Sequence, residues 1–359
     1  MSILLALIEN RSDGWIMAPQ QDTKQRKAEH VQIVLNEDVT GKGITTGFER
    51  YRFEHQALPE IDFDSISLQT NFLDKTLATP LLVSSMTGGT HETGNINRVL
   101  ATAAQERGWA LALGSMRVAI ENPETHATFQ MRPFAPDIPI LINLGAIQLN
   151  RGIGLDQCRQ IVEIADADAL ILHLNPMQEV FQPNGDTNFA GLLQKIEALS
   201  KKLDVPVGVK EVGWGIHGSL AKQLYDCGVH FIDVAGAGGT SWSQVESFRS
   251  TPILKRAADA FLDWGIPTAD CIYDVRKKVL NGFLIASGGL QSGVDVAKSI
   301  ALGANLAGFG RFLLRDAVDE PSKLVERMAQ VELELKLAMF GVGAVTIDSL
   351  GHKFINRIG

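Results

Sequence analysis

From residue 80 onward, short and almost purely apolar runs alternate with longer stretches in which apolar residues recur at helical spacing, nearly to the end of the chain. Repetition of that kind predicts successive βα units around a parallel sheet. Eight runs read as strands, at 80–86, 109–114, 139–145, 169–174, 206–211, 230–235, 283–287 and 305–309. Their near-continuous hydrophobicity is that of strands buried on both faces. Helices are expected at 95–107, 156–165, 189–203, 218–227, 269–279 and 293–302, with a last one at 321–340 closing the structure. Eight units fit a closed (β/α)8 TIM barrel of the α/β class better than an open doubly wound sheet, which commonly has fewer repeats and a reversal in strand order.

The flanks of the pattern differ from its body. Residues 25–79 are polar with short β-like runs and are expected to pack over one barrel end. Residues 1–24 open on the apolar stretch MSILLALI but lack a basic n-region and a small-residue cleavage site, so they read as a disordered extension and not a signal peptide. Residues 25–359 are then a single domain, and Met17 offers an internal start that would make residues 1–20 dispensable. The segment 241–267 is too long for an ordinary βα loop, and its aromatics, Arg249 and Lys255 suggest a lid.

Composition narrows the choice of partner. With 359 residues, 45% hydrophobic and 21% charged, the chain has an ordinary globular make-up. Its 33 basic and 41 acidic residues give a net charge of −8, which repels nucleic acid and anionic membranes. An anionic substrate would therefore need a local cluster of Lys and Arg. The three cysteines, Cys158, Cys227 and Cys271, form no Cys-x-x-Cys pair and read as reduced thiols of a cytoplasmic protein. No run approaches the roughly 20 apolar residues of a membrane span.

In a (β/α)8 barrel the chemistry gathers where the strands end, so the residues just after each apolar run are the candidates. They are Met86 to Gly89, Ser115 to Arg117, Asn143, His173 to Asn175 with Gln178 and Glu179, Lys210 and Glu211, Gly236 to Ser241, Gly288 and Gly289, and Gly310 and Arg311. Glycines after the seventh and eighth strands suit a phosphate, because a residue without Cβ lets backbone N–H groups approach an anion; either glycine alone could simply turn the chain. Lys210 ends an apolar strand, where it either snorkels to solvent or meets an anionic partner, and its position favours the second. His173 taken alone reads as a hydrogen-bonded barrel histidine, Glu179 as a surface carboxylate in a loop, and Arg26, Lys27 and His30 as a solvated basic face. No His-Glu-x-x-His or similar zinc spacing occurs.

Taken in order, RKAEH at 26–30, SSMTGG at 84–89, GSMR at 114–117, NLG at 143–145, HLNPMQE at 173–179, VKEVGWG at 209–215, GAGGTSW at 236–242 and SGGL at 287–290 resemble the type 2 isopentenyl diphosphate isomerases. The order of these pieces along one chain is more specific than any of them singly. The resemblance implies a flavin mononucleotide (FMN) in the barrel mouth, reduction by NADPH, a Mg²⁺ ion, a small isoprenyl diphosphate as substrate, and a homo-oligomer of four or eight chains. It implies that Ser85, Met86, Thr87, Ser115, Asn143, Lys210 and Thr240 contact the flavin, with Gly289, Leu290, Gln291, Gly310 and Arg311 about its phosphate. Arg26, Lys27, His30, Ser115 and Arg117 would hold the substrate. Gln178, Lys210 and His173 would carry the catalysis, and Glu179 the metal. If the backbone at 178–179 is extended, the last two neighbours point opposite ways, Gln178 to the isoprene and Glu179 to the diphosphate.

Moving a double bond by one carbon needs one proton added and another removed, yet the strand ends offer no obvious strong acid, which suits a reduced flavin. Three positions depart from the family pattern: Ala235 in place of Ser, Met116 in place of Gln, and Gln291 in place of an Arg whose loss bears on the flavin phosphate. Two rivals remain. An FMN-dependent α-hydroxy-acid oxidoreductase would need a histidine base and an arginine after the sixth strand, where AGAGGTSW stands instead. A flavin-binding protein of weak activity and regulatory role is the other.

Overall fold

The computed structural model describes residues 23–358. The expectation that residues 1–20 are dispensable lies outside them, and Thr23 already opens a helix, α1 (Thr23–Asn36). A short strand β1 (Tyr51–Phe53) and a hairpin of β2 (Thr70–Phe72) and β3 (Lys75–Leu77) precede the barrel. Its eight parallel strands are β4 (Leu81–Val83), β5 (Ala110–Ser115), β6 (Ile140–Gly145), β7 (Ala169–His173), β8 (Val207–Lys210), β9 (Phe231–Asp233), β10 (Phe283–Ala286) and β11 (Leu306–Phe309). They pair in chain order, and β11 closes on β4. A last strand, β12 (Ile355–Arg357), runs antiparallel to β1.

The helices on the outside are α2 (His91–Arg107), α3 (Arg117–Glu121), α4 (Leu155–Ala165), α5 (Pro176–Phe181), α6 (Leu192–Ser200), α7 (Gly218–Asp226), α8 (Trp242–Ser247), α9 (Pro252–Asp259), α10 (Thr268–Lys278), α11 (Gly293–Ala301), α12 (Arg311–Asp319) and α13 (Pro321–Val342). Every expected strand and helix is present, with ends shifted by a few residues in either direction. The run at 80–86 stops pairing at Val83 because the chain turns away toward Gly88 and Gly89, both at positive φ. The run at 230–235 ends at Asp233, two residues before Ala235 at φ 39°. Helix α6 starts three residues later than expected, after Gly191 in the left-handed region. The supposed loop around Glu179 is the helix α5: Pro176 stands at its first turn, where a missing N–H costs nothing, and Asn175 precedes it. The 241–267 segment folds as α8 and α9 beside the mouth.

Alternation along the strands sorts the core into two parts. Outward residues such as Val83, Leu111, Ile142, Leu170, Val209 and Ile232 pack beneath the helices. Inward residues Leu82, Ala112, Leu141, Ile171, Phe231, Ile285 and Leu306 form a plug inside the barrel, joined by Phe72 and Leu77 of the hairpin. Phe72 stacks on Phe283 at 4.7 Å and meets Phe231 edge-on at 5.3 Å, so the hairpin seals the amino end. The segment before the barrel thus covers an end as expected, and its helix α1 also crosses the opposite mouth. The inward position of β8 is Gly208, where an added Cβ would lie 2.1 Å from the Phe231 ring. Only glycine there lets that ring fill the axis.

We expect Gly208→Ala to lower the unfolding free energy by about 1 to 3 kcal/mol through overpacking. Urea denaturation of the variant, and of Gly208→Ala combined with Phe231→Leu, provides the check: the second change should recover part of the loss.

Candidate active site

Two residues beyond the plug, on the same inward face, each strand changes character. Ser84, Gly114, Asn143, His173, Lys210, Asp233, Ser287 and Gly308 form a polar layer at the carboxyl ends, above which lies a cavity of about 600 Å³. A register shift in β5 between Ala112 and Ser115 brings Ser115 opposite Asn143. Within the layer, Asn143 donates from Nδ2 to Ser85 Oγ at 3.2 Å, so its Oδ1 is free to accept from His173 Nδ1 at 2.6 Å. That fixes the imidazole with its proton on Nδ1. Burial, with Lys210 and Lys27 nearby, lowers the His173 pKa to about 3, so the ring is neutral at working pH.

Lys210 and Asp233 stand side by side in the β8–β9 register. The ammonium donates to the Glu211 carbonyl at 2.5 Å. Burial raises the Asp233 pKa against the pull of Lys210; Asp233 Oδ1 accepts from Ser287 Oγ at 2.6 Å while Oδ2 has no partner among the described residues. Glu211 points the other way and gathers the N–H groups of Val212, Gly213, Trp214 and Gly215 on one oxygen, at 2.5 to 3.1 Å. Burial pushes that carboxyl up to about 7 while the four donors pull it down. Its place is to fix the turn after β8 that leaves Lys210 facing the cavity.

Gly288 and Gly289 follow β10 at φ 106° and 79°, and Gly310 ends β11. A Cβ on Gly239 or Gly289 would come within 2.6 Å of the facing glycine backbone, so the strand ends approach as closely as main chain can. The start of α11 is already occupied by carboxylates: Gly293 N donates to Glu334 at 2.7 Å and Gln291 N to Asp295 at 3.0 Å. The start of α12, after Gly310, carries no acidic residue in its first turn. An anion at this wall therefore belongs beside Gly289 and Gly310, at the α12 end. The buried hydroxyls of Ser84 and Thr87 also lack partners among the described residues. Unspent polar atoms, a glycine wall and one lysine suit a phosphorylated, ring-bearing cofactor.

Over the other side of the mouth lies α1. Lys27 donates to the Ser115 carbonyl at 2.7 Å, with its ammonium 5.4 Å from the centre of the Phe129 ring. The residue as a whole is partly exposed, but its charged end is enclosed, and burial, with Arg26 beside it, lowers the pKa to about 7. Burial also lowers the Arg26 value, against the pull of Glu246 and Glu179. Arg117 is shared between Glu121 at 2.7 Å and Asp186 at 3.5 Å. His30 sits 3.0 Å from Glu246 and edge-on to Trp242.

The residues to which the resemblance assigns a role all line this one cavity, Arg26 and Arg311 at its rims included, whereas of the other strand-end candidates Gly88, Gly89, Met116, Leu174, Glu211, Ala237, Gly238 and Ser241 do not. The opposite orientation expected for Gln178 and Glu179 is incorrect. In helix α5 successive side chains are about 100° apart, and the Oε1 atoms of both Gln178 and Glu179 accept from Asn175 Nδ2, at 3.2 and 2.9 Å. Gln178 then donates to Glu246 at 3.1 Å, while Glu179 accepts from Asp186 N at 2.7 Å and Gln182 at 3.4 Å. Burial raises the Glu179 pKa. No group of three His, Cys, Asp or Glu among the described residues is arranged to hold a metal ion.

Sequence reasoning missed Asp233, Glu246 and the role of Arg249. Asp233 carried a signal, being an acid inside an apolar run and two places beyond Phe231. Glu246 carried none. It is fully buried in α8, where Arg249 at 3.1 Å, His30 and Gln178 keep its pKa low although burial alone pushes it up.

The sequence profile of the FMN-dependent dehydrogenase family matches residues 165–357. An isopentenyl-diphosphate delta-isomerase of Oceanobacillus iheyensis is 50% identical over 92% of this chain and 95% of its own. The chain belongs to the isopentenyl-diphosphate delta-isomerase family. A member from Vibrio parahaemolyticus is 47% identical over 93% of this chain and 98% of its own. Among solved structures, a flavocytochrome b2 with pyruvate bound superposes with a TM-score of 0.67 at 16% identity, over 91% of this chain and 82% of that one. A mandelate oxidase variant superposes with a TM-score of 0.62 at 18% identity, over 92% of this chain and 97% of that one. At that identity they show a shared barrel and nothing of the reaction.

We expect anion binding at this mouth to depend on pH through Lys27. Its ammonium is charged below about pH 7 and neutral above it, so affinity for pyrophosphate should fall as pH rises from 6 to 9. Calorimetric titration across that range should show the loss, and Lys27→Arg, which stays charged, should flatten the profile.

Proposed function

We propose that this chain interconverts isopentenyl diphosphate and dimethylallyl diphosphate with FMN in the barrel mouth, NADPH as reductant and Mg²⁺ on the diphosphate. It would work as a homo-oligomer of four or eight chains in the cytoplasm. The observation that carries the reading is the pairing of an uncharged, oriented histidine and a fixed amide with a basic rim. The floor has a histidine held uncharged and an amide fixed on two sides, so it can place an alkene without protonating it. When bound, reduced FMN supplies the ring atoms that give and take protons.

The remaining roles follow from the residues themselves. Arg26, Lys27 and Arg117, with His30, offer cationic donors to a diphosphate at a place where the chain's overall charge of −8 would otherwise repel it. Lys210 supplies a fixed positive charge to the floor, worth more in a dry site than in water. Asn143, Ser85, Ser115, Met86, Thr87 and Thr240 line the space for the ring, and Gly289, Leu290, Gln291, Gly310 and Arg311 that for its phosphate. Glu179 offers one hard anionic ligand, which suits a Mg²⁺ ion that keeps most of its waters and leans on the diphosphate. Its neighbour Asn175 retains an unpaired buried Oδ1 among the described residues, a further oxygen at the same place.

The hydroxy-acid alternative lacks its residues. The chain after β9 is glycine main chain packed on Thr46 and Gly289, with no histidine or arginine until Arg249, which is engaged by Glu29 and Glu246. Incubation of reduced, FMN-loaded protein with isopentenyl diphosphate and Mg²⁺ separates the possibilities. Dimethylallyl diphosphate supports the isomerase; turnover of a 2-hydroxy acid, or FMN binding without any turnover, would replace it.

Two substitutions examine the roles. Lys210→Ala should weaken FMN binding and lower kcat together, by about 2 to 3 kcal/mol in all; unchanged binding and rate would return Lys210 to the rim. Gln178→Ala should act chiefly on kcat, whereas Glu179→Gln should raise the Mg²⁺ concentration needed for half-maximal rate. A Glu179→Gln variant with the parent's Mg²⁺ dependence would remove this carboxylate from the metal site.

A further inference from the structure

Helix α1 satisfies little of its own carboxyl end: Glu37 N donates to the Ile33 carbonyl at 2.9 Å, and no side chain of its own last turn supplies a cation. Its sequence, TKQRKAEHVQIVLN, has no basic residue in the last turn, yet the final carbonyls of any helix lack intrahelical partners and carry the negative end of the dipole. Two arginines of α12, one turn apart, supply what is missing. Arg315 donates from Nη2 to the Leu35 carbonyl, and Arg311 donates from Nη2 to the Glu37 carbonyl at 2.9 Å. Helix α12 itself begins at Gly310, on the glycine wall of the cavity. The helix that carries Arg26, Lys27 and His30 is thus clasped by the element that starts at the opposite rim.

We propose that Arg315 is a positioning residue for the diphosphate: through the Leu35 carbonyl it holds α1 docked, so that Arg26, Lys27 and His30 face the cavity. This rests on the reading of those three residues as the anion-binding set. Arg315 borders the cavity, but its guanidinium is engaged with α1, and the residue is exposed enough for its replacement to leave the barrel intact. Arg311 shares the clasp but also borders the phosphate wall, so it is not the residue to change.

The experiment uses the full chain loaded with FMN and compares the parent with Arg315→Ala and Arg315→Lys. Hydrogen exchange of residues 31–36 reads the docking of α1, and binding of inorganic pyrophosphate reads the anion site without requiring turnover. In Arg315→Ala, α1 should exchange several-fold faster, and pyrophosphate Kd and the KM for isopentenyl diphosphate should rise about two- to fivefold, the range expected for losing a cation at an exposed helix carboxyl end. FMN Kd and kcat should stay within about twofold, since neither passes through α1. Arg315→Lys should recover most of the loss, because an ammonium can donate to the same carbonyl. Unchanged α1 exchange in Arg315→Ala overturns the proposal even if Kd rises, since Arg315 would then act on the anion directly. Faster exchange with unchanged pyrophosphate Kd overturns it as well. If the parent binds pyrophosphate but forms no dimethylallyl diphosphate, the isomerase reading fails, and the exchange and Kd arms still decide the clasp.

Discussion

Everything at the mouth depends on one change of polarity inside a closed barrel. Up to Leu82, Leu141, Ile171, Phe231 and Ile285 the axis is filled by carbon, and two residues later it is lined by amide, imidazole, ammonium, carboxylate and hydroxyl. A parallel barrel permits this because each strand delivers one side chain per layer at fixed height. The apolar plug excludes water from below, which makes the layer above it electrically stiff. Lys210 cannot be screened, Asp233 resists ionising, and His173 stays neutral for the same reason. The Phe231 ring, admitted by Gly208, is what keeps that floor dry.

Charge is arranged in the opposite sense above the floor. The chain as a whole is acidic, while the rim gathers Arg26, Lys27, Arg117 and Arg249. Their mutual repulsion is relieved by Glu246, Glu179, Glu29 and Asp186, each set behind a cation and held by hydrogen bonds of its own. Buried and half-buried acids used in this way hold the basic groups in place without cancelling them.

Much of this was legible from residues alone because barrels obey a period of two. The eight apolar runs gave the architecture, and the polar residue ending each run gave Asn143, His173 and Lys210. What escaped has a common physical origin. Helix α5 is a turn and a half long, too short to show helical periodicity, and only the Asn175–Pro176 pair announces it. Glu246 meets Gln178 across 68 residues of sequence, a contact that no local pattern encodes. The basic face at 26–30 looked solvated because its partners lie on α5, α8 and the end of β5. Resemblance to known isomerases supplied the roles that spacing left open.

The contacts that hold α1 share a property with consequences for how the molecule assembles. Lys27 reaches a partner 88 residues away, Glu29 one 220 residues away, and Glu37 and Leu35 partners 274 and 280 residues away. None of them exists until the barrel has closed, because closure is what brings those distant segments to one rim. A helix that precedes the whole barrel in the chain is therefore among the last of the described elements to find its place, and its contacts are separate from those that pair the strands. The cover of the mouth thus has a stability of its own, set by those few distant contacts and separate from that of the barrel beneath it.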